Sequence, residues 1–436
     1  MIEARARSAQ LFERARGVIA GGVDSPVRAG APVGGVPFVQ ARGEGAYAFD
    51  ADGRKYVDYV MAYGPLLLGH AHPALCAGLD EVARRGACFG ATHEDEIALA
   101  ERIRDALPSI ERLRFTTTGS EAMMSAIRVA RAYTARELIV KFGGNYHGHF
   151  DLALVDAGAS AQTPDPARSG IPSGTTRDVA VARYNDLDDV DRVLAREGER
   201  LAAIVVEPIV GNMGLVEPLP GFLEGLFERA QARGALVIFD EIITWLRLGM
   251  HGAQGRLGLR PDLTAVGKIL GGGFPIAAFG GRREIMEQLA PEGATFTGGT
   301  HAGNPFCVTI AHRVLDYLEG HAGVPAAMDR RARRLAGRIR ESVASLQLDY
   351  AVVQLESIVD FKFRPGPPTR SYEDQKGCDP AAFAAFYHAM RERGVLLAPS
   401  QNEVMFLSSE HSDDNVEQTA EAVDASVRDL RRKGLV

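Results

Sequence analysis

The sequence predicts an α/β protein built on a mostly parallel sheet, with a second, smaller α+β part. Three observations carry this. Short apolar strands alternate with helical stretches between about residues 75 and 310. The clearest strands, 113–116, 138–142, 204–207 and 236–240, are mostly apolar along their length, the pattern of a sheet covered on both faces. Finally, 436 residues exceed what one ordinary core organises, so two or three domains are expected.

In chain order, the first 75 or so residues are glycine-rich, and Asp52-Gly53 between two strand-like pieces (45–50 and 55–60) reads as a hairpin turn. Helical patterns at 121–133 and 220–233 each follow a strand region. Residues 156–176 are rich in Ala, Ser, Gly and Pro and read as a loop suited to a mobile lid. A long helical region (311–346) then leads into strands and helices of an α+β part. The expected division is an N-terminal segment (1–75) packing with the small domain, a large domain (76–310) and a C-terminal small domain (311–436).

Composition narrows the partners. With 46% hydrophobic and 24% charged residues the chain is that of a globular enzyme, and a net charge of -7 argues against nucleic acid or anionic membrane. The densest basic run, Arg330-Arg331-Ala332-Arg333-Arg334, reads as a solvated helix face. Four widely spaced cysteines form no CxxC pair, which fits a reducing compartment better than a zinc site. The first seven residues lack an apolar core, and no apolar run approaches the ~20 residues that span a bilayer. A cytoplasmic protein is expected.

The chemistry centres on Lys268, in an apolar segment (264–270) followed by three glycines. Burying an ammonium costs several kcal/mol unless it is paired or neutralised. A Schiff base to an aldehyde cofactor makes use of such a lysine, because desolvation lowers the amine's pKa. Open α/β sheets bind ligands outside the carboxyl ends of their strands, and three further features fall there. Thr118-Gly119-Ser120-Glu121 ends a strand and opens a helix, offering free amides and a hydroxyl to a phosphate, or simply an N-cap made by Ser120. Asp240 closes a strand, where a carboxylate can pair with a protonated ring nitrogen or serve as a structural acid. Tyr146-His147-Gly148-His149 offers aromatic surface for a planar ring; its histidine pair has no third ligand nearby, so no metal is expected. Together these are the parts of a pyridoxal 5'-phosphate site. No G-x-G-x-x-G is present, and Gly267-Lys268 is followed by Ile269, so no P-loop competes.

The same residues resemble a known family over nearly the whole chain: the class III, fold-type I pyridoxal phosphate enzymes, nearest to their glutamate-1-semialdehyde 2,1-aminomutase branch. The likeness rests on Gly21-Gly22-Val23-Asp24-Ser25-Pro26-Val27-Arg28, Gly64-Pro65 with Gly69-His70-Ala71-His72-Pro73, and Val206-Glu207-Pro208 with Gly211-Asn212-Met213-Gly214. It continues through Phe239-Asp240-Glu241, Gly267-Lys268 and Gly299-Thr300 with Gly303-Asn304-Pro305. The resemblance implies a seven-stranded, mostly parallel sheet sandwiched by helices, with the small domain drawn from both chain termini. It implies Lys268 as the Schiff-base lysine and proton shuttle, and Asp240 on the pyridine nitrogen. Tyr146 and Ile242 would lie against the two ring faces, with Gly119 and Ser120 cradling the phosphate. His147 and Glu207 join the cofactor-binding set, and Ser25, Tyr63 and Glu403 the substrate-binding set. Thr300 would reach the phosphate of a neighbouring subunit, which implies a homodimer with shared sites. The loop 156–176 corresponds to the aminomutase gating loop.

Departures gather around the expected substrate. The family's Ser-Trp-Gly-Pro is Ala62-Tyr63-Gly64-Pro65, and its Asn-Ser-Gly-Thr-Glu is Thr117-Thr118-Gly119-Ser120-Glu121. The chain's only tryptophan, Trp245, stands where glycine is common, and Phe296 where tyrosine is usual. Tyr63, Trp245 and Phe296 are therefore expected to reshape the substrate pocket. The function expected is amino-group transfer on a small amino acid or amino-aldehyde, with the cofactor cycling through its pyridoxamine form. Isomerisation of glutamate 1-semialdehyde to 5-aminolevulinate is the first reading. An intermolecular aminotransferase of a ω- or β-amino acid or a biosynthetic intermediate is the alternative, and a non-catalytic cofactor-binding or scaffold protein the remote one.

Overall fold

The computed structural model describes residues 6–157 and 170–436. Its centre is a seven-stranded sheet, here numbered with the other strands in chain order. Strands β1 (Gln40–Glu44), β2 (Tyr47–Asp50) and β3 (Lys55–Asp58) precede it; β4 (Arg112–Thr116), β5 (Leu138–Phe142), β6 (Val179–Ala182), β7 (Leu201–Val206), β8 (Leu236–Asp240), β9 (Leu263–Val266) and β10 (Ala277–Gly281) form it. The order across the sheet is β4-β10-β9-β8-β7-β5-β6. Only β10 runs against its neighbours, pairing antiparallel with both β4 and β9. The carboxyl ends of β4, β5, β7, β8 and β9 therefore share one edge.

Continuous apolarity has the expected structural cause, since alternate residues of each strand feed two different cores. Ala203, Val205, Leu236 and Ile238 pack with the helix Gly119–Thr134 on one face. Ile204, Val206, Val237 and Phe239 pack with the helix Phe222–Gln231 on the other.

The other described strands build two smaller sheets. Strands β11 (Tyr350–Leu355), β12 (Ile358–Pro365) and β14 (Met405–Phe406) form one, while β1, β2 and β3 join β13 (Val395–Leu396) in the other. The β2–β3 hairpin turns at Asp50–Gly53, where Gly53 adopts φ 83°. Because β3 pairs in parallel with β13, Val57 and Tyr59 enter a core shared with residues 332–430. The long helical region after residue 310 is two helices, Pro305–Gly320 and Gly323–Ser345. The second carries the arginine run, whose Arg333 and Arg334 pair with Asp329 and Glu417 at its exposed face. Most of the expected lid, residues 158–169, lies outside the described residues. No helix of the described residues is long and apolar enough to cross a membrane.

Candidate active site

Five strand ends deliver chemistry to the shared edge of the sheet. A cavity of about 630 Å³ opens there, lined by Gly119, Ser120, Tyr146, His147, Glu207, Asp240, Ile242 and Lys268, with Ser25, Tyr63 and Glu403 from the flanking sheets and N-terminal segment. Eleven of the twelve expected site residues thus converge. The exception is Thr300, which is exposed and offers its carbonyl to Cys88 Sγ at 3.3 Å, away from this cavity.

Lys268 follows β9 and holds a left-handed φ of 45°, costly for a residue with a Cβ. Its amine makes no hydrogen bond or ion pair with any described residue and borders the cavity. Burial pushes its pKa below the usual lysine range, opposed by the nearby charges of Glu403, Glu207 and Asp240. The aliphatic stem runs past Gly64, where a Cβ would stand 3.6 Å from Lys268 Cδ. The turn before Gly64 is strained as well, with Met61, Ala62 and Tyr63 at φ 44°, 53° and 66°, which turns Tyr63 into the cavity. Burial raises the Tyr63 phenol well above its ordinary range.

Asp240 ends β8 with its side chain buried; Oδ1 accepts from the Ile242 amide at 3.1 Å, and Oδ2 lies 2.8 Å from His147 Nδ1. A carboxylate accepts only, so His147 donates through Nδ1 and its buried Nε2 is left without a partner among the described residues. Burial depresses the His147 pKa, against the bond to Asp240. Glu207 follows β7 and accepts from the Tyr146 and Gly211 amides at 2.8 and 3.0 Å. Burial, helped by the charge of Asp240, pushes its pKa up to about 7. Glu403 is likewise raised to about 7 by burial, against the pull of Lys268 and Lys362.

The helix Gly119–Thr134 aims its first turn at the cavity. Thr118, not Ser120, is its N-cap: Thr118 Oγ1 accepts from the Glu121 amide at 3.2 Å while Glu121 Oε2 accepts from the Thr118 amide at 2.9 Å. That capping box was legible in Thr118-Gly119-Ser120-Glu121 and outranks the Ser120 cap. It leaves the Gly119 and Ser120 amides without intrahelical partners and frees the Ser120 hydroxyl, which sits 3.2 Å from His149 Nδ1.

Two members of the expected rewritten pocket are elsewhere. Trp245 is fully buried in the core beside Leu67, Ile103 and Leu246, and its Nε1 donates to the Met250 carbonyl at 2.9 Å. Its bulk therefore fills the space behind the strand ends and does not touch the cavity. Phe296 is 76% exposed, so of the three only Tyr63 lines the site. Residues without an assigned role also line it, notably Asn212, whose side chain bonds Glu207, and His149. Behind them lie Arg247, buried without a carboxylate partner among the described residues and donating to the Gly64 carbonyl at 2.7 Å, and the ion pair Asp360–Lys362. No motif in the sequence marks that pair, because a charge on a strand ordinarily signals an exposed position.

These residues fit pyridoxal 5'-phosphate. Phosphate needs free amides at a helix start and room for close approach, and both glycines of the cradle are tight. A Cβ on Gly148 would stand 2.4 Å from Ser120 Oγ, and one on Gly119 3.0 Å from Ile242 Cδ1. A ring cation needs a buried anion, which Asp240 provides, and a carbonyl group needs the unpaired Lys268 amine.

Fold and site together define a pyridoxal phosphate-dependent transferase. The aminotransferase class-III family model matches residues 30–424, and the chain belongs to that family. Among curated relatives, a glutamate-1-semialdehyde 2,1-aminomutase of Desulforudis audaxviator is 47% identical over 97% of this chain and 98% of its own. Among solved structures, an omega-transaminase from Sphaerobacter thermophilus superimposes with a TM-score of 0.89 at 33% identity, covering 97% of this chain and 98% of that one. A glutamate-1-semialdehyde aminomutase from Pseudomonas aeruginosa in complex with PMP gives a TM-score of 0.87 at 26% identity, covering 98% and 96%.

Proposed function

We propose that this protein isomerises glutamate 1-semialdehyde to 5-aminolevulinate by moving an amino group between neighbouring carbons. The observation that carries the reading is identity of 47% over essentially the full length to a protein named for that reaction, on a chain whose cavity retains every cofactor-facing side chain expected within one protomer. When bound, pyridoxal phosphate supplies an electron sink that lets amino groups and protons leave and rejoin carbon. The residues supply the rest. Gly119 and Ser120 would hold the phosphate, Tyr146 and Ile242 the ring faces, and Asp240 a proton on the ring nitrogen. Glu207 and His147 brace them: Glu207 fixes the Tyr146 amide, and His147 orients Asp240. Lys268 Nζ carries protons between reacting carbons, and its lowered pKa leaves more of it neutral to do so. Ser25, Tyr63 and Glu403 would orient the substrate.

The assembly belongs to the same proposal: a cytoplasmic homodimer in which Thr300 completes the phosphate site of the neighbouring protomer. So does the division at about residues 75 and 310, supported by separate cores for the sheet and for residues 332–430; the helix Pro305–Gly320 packs on the sheet side, so the change of core falls after it. A second reading, intermolecular transamination of a ω-amino acid, draws support from the omega-transaminase superposition. One assay separates them. Enzyme incubated with glutamate 1-semialdehyde alone is expected to form 5-aminolevulinate. Product that appears only with a second amino donor or keto acceptor would reject the isomerase reading.

A further inference from the structure

Strand β12 is buried over its first six residues, yet carries Asp360 and Lys362 there. Two positions apart, they share one face of the strand. Lys362 Nζ lies 3.0 Å from Asp360 Oδ1, both side chains almost wholly buried. Swapping such a pair for apolar residues is commonly neutral or stabilising, so core stability is a poor reason for its presence. What the pair touches is more specific. Lys362 Nζ donates to the Gln401 carbonyl and lies 3.5 Å from that of Glu403. Asp360 Oδ2 accepts from the Leu215 amide at 2.9 Å. Between the two, the Gly214 amide donates to the Asn402 carbonyl at 2.7 Å. Gly214 holds φ 86°, and a Cβ on it would stand 2.6 Å from Lys362 Cε, so the turn is pressed directly onto the pair. One ion pair thus ties two turns that each send a side chain to the cavity: residues 211–215 with Asn212, and residues 400–403 with Glu403.

We propose that Asp360 and Lys362 are positioning residues for amino transfer, a buried clamp that holds the Glu403 and Asn212 turns in one fixed relation inside the Lys268 cavity. The proposal rests on the reading that Glu403 faces substrate. The clamp also sets charge. Glu403 feels two cations, Lys268 and Lys362, and its own charge reaches the phenols of Tyr63 and Tyr146. Removing Lys362 takes away one of the two amines whose positive charge favours the Glu403 carboxylate, which raises the carboxyl's proton affinity.

The test uses Lys362→Met and the double variant Asp360→Asn/Lys362→Met, which avoids stranding a buried carboxylate should the single variant fold poorly. Hydrogen exchange on the full-length protein is expected to quicken about tenfold at the Gly214 and Glu403 amides while β8 is unchanged. KM is expected to rise about tenfold with kcat much less affected, as for lost substrate positioning. The limb of the kcat/KM profile governed by Glu403 is expected to move to higher pH, by about threefold in proton affinity, and the shift is expected to vanish in a Glu403→Gln background. Unchanged exchange at both turns, or a lowered plateau with an unmoved limb, overturns the clamp. An inactive wild type would instead reject the functional reading, and the exchange measurement stands apart from it.

Discussion

Lys268 shows how a single residue's surroundings define its work. A free lysine is almost entirely protonated at pH 8, and an ammonium cannot take a proton from carbon. Burial shifts Lys268 toward the neutral amine, while the carboxylates of Glu403, Glu207 and Asp240 stop the shift from running further. Lys268→Ala is therefore expected to cut turnover by about 10³-fold or more, at the scale of a lost general acid–base group, and to abolish the visible absorbance of the cofactor-loaded protein. A variant that keeps the colour and turns over would place the reacting amine elsewhere. Trp245 makes the opposite case. Since it packs in the core and bonds Met250, Trp245→Phe is expected to destabilise by about 1–3 kcal/mol, read as a lower Tm, with KM unchanged. A changed KM at unchanged Tm would restore it to the pocket.

At the scale of elements, the site depends on helix and turn geometry more than on side-chain identity. Gly148 combines φ 107° with a would-be Cβ 2.4 Å from Ser120 Oγ, so Gly148→Ala must push the first turn of the helix Gly119–Thr134 out of the position proposed to hold the phosphate. Affinity for pyridoxal phosphate, titrated into the cofactor-free protein, is expected to fall about tenfold or more. Unchanged affinity would show that the phosphate lies elsewhere. The strands β5, β7 and β8 were legible because full burial leaves an unmistakable apolar run: β5 and β8 fall on the expected residues and β7 within a few of them, while β4, buried only at Phe115 and Thr116, begins one residue before the expected stretch. Lys268 and Asp240 were legible for the converse reason, as polar residues at or beside apolar strand ends, whereas Glu207 entered through the family resemblance alone. What the residues alone could not give was depth. Whether the indole of Trp245 points at the cavity or behind it depends on the path of the chain after Glu241, which no local pattern encodes. Asp360 and Lys362 were equally hidden, since their partners are carbonyl and amide groups 39 and 145 residues away.

On the scale of the whole molecule, one expected ligand of the cofactor is missing from the protomer's own cavity. Thr300 is exposed, in a stretch that also exposes Phe296 and two glycines, and such a surface suits contact with a second copy. A shared-site dimer makes a sharp prediction, because each site then combines Lys268 of one protomer with Thr300 of the other. Take protomers carrying Lys268→Ala and protomers carrying Thr300→Val. The first homodimer has no reacting lysine; the second binds the cofactor weakly at both sites. In their heterodimer one site inherits both lesions, whereas the other pairs an intact Lys268 with an intact Thr300. Co-expressed, differently tagged and purified as the heterodimer, the mixed enzyme is expected to recover one site of wild-type cofactor affinity, and about half the wild-type turnover per dimer. If Thr300 served its own protomer, the surviving lysine would sit with Thr300→Val, and no wild-type site could form. Recovery of wild-type affinity by mixing thus decides whether the site is complete in one chain or needs two.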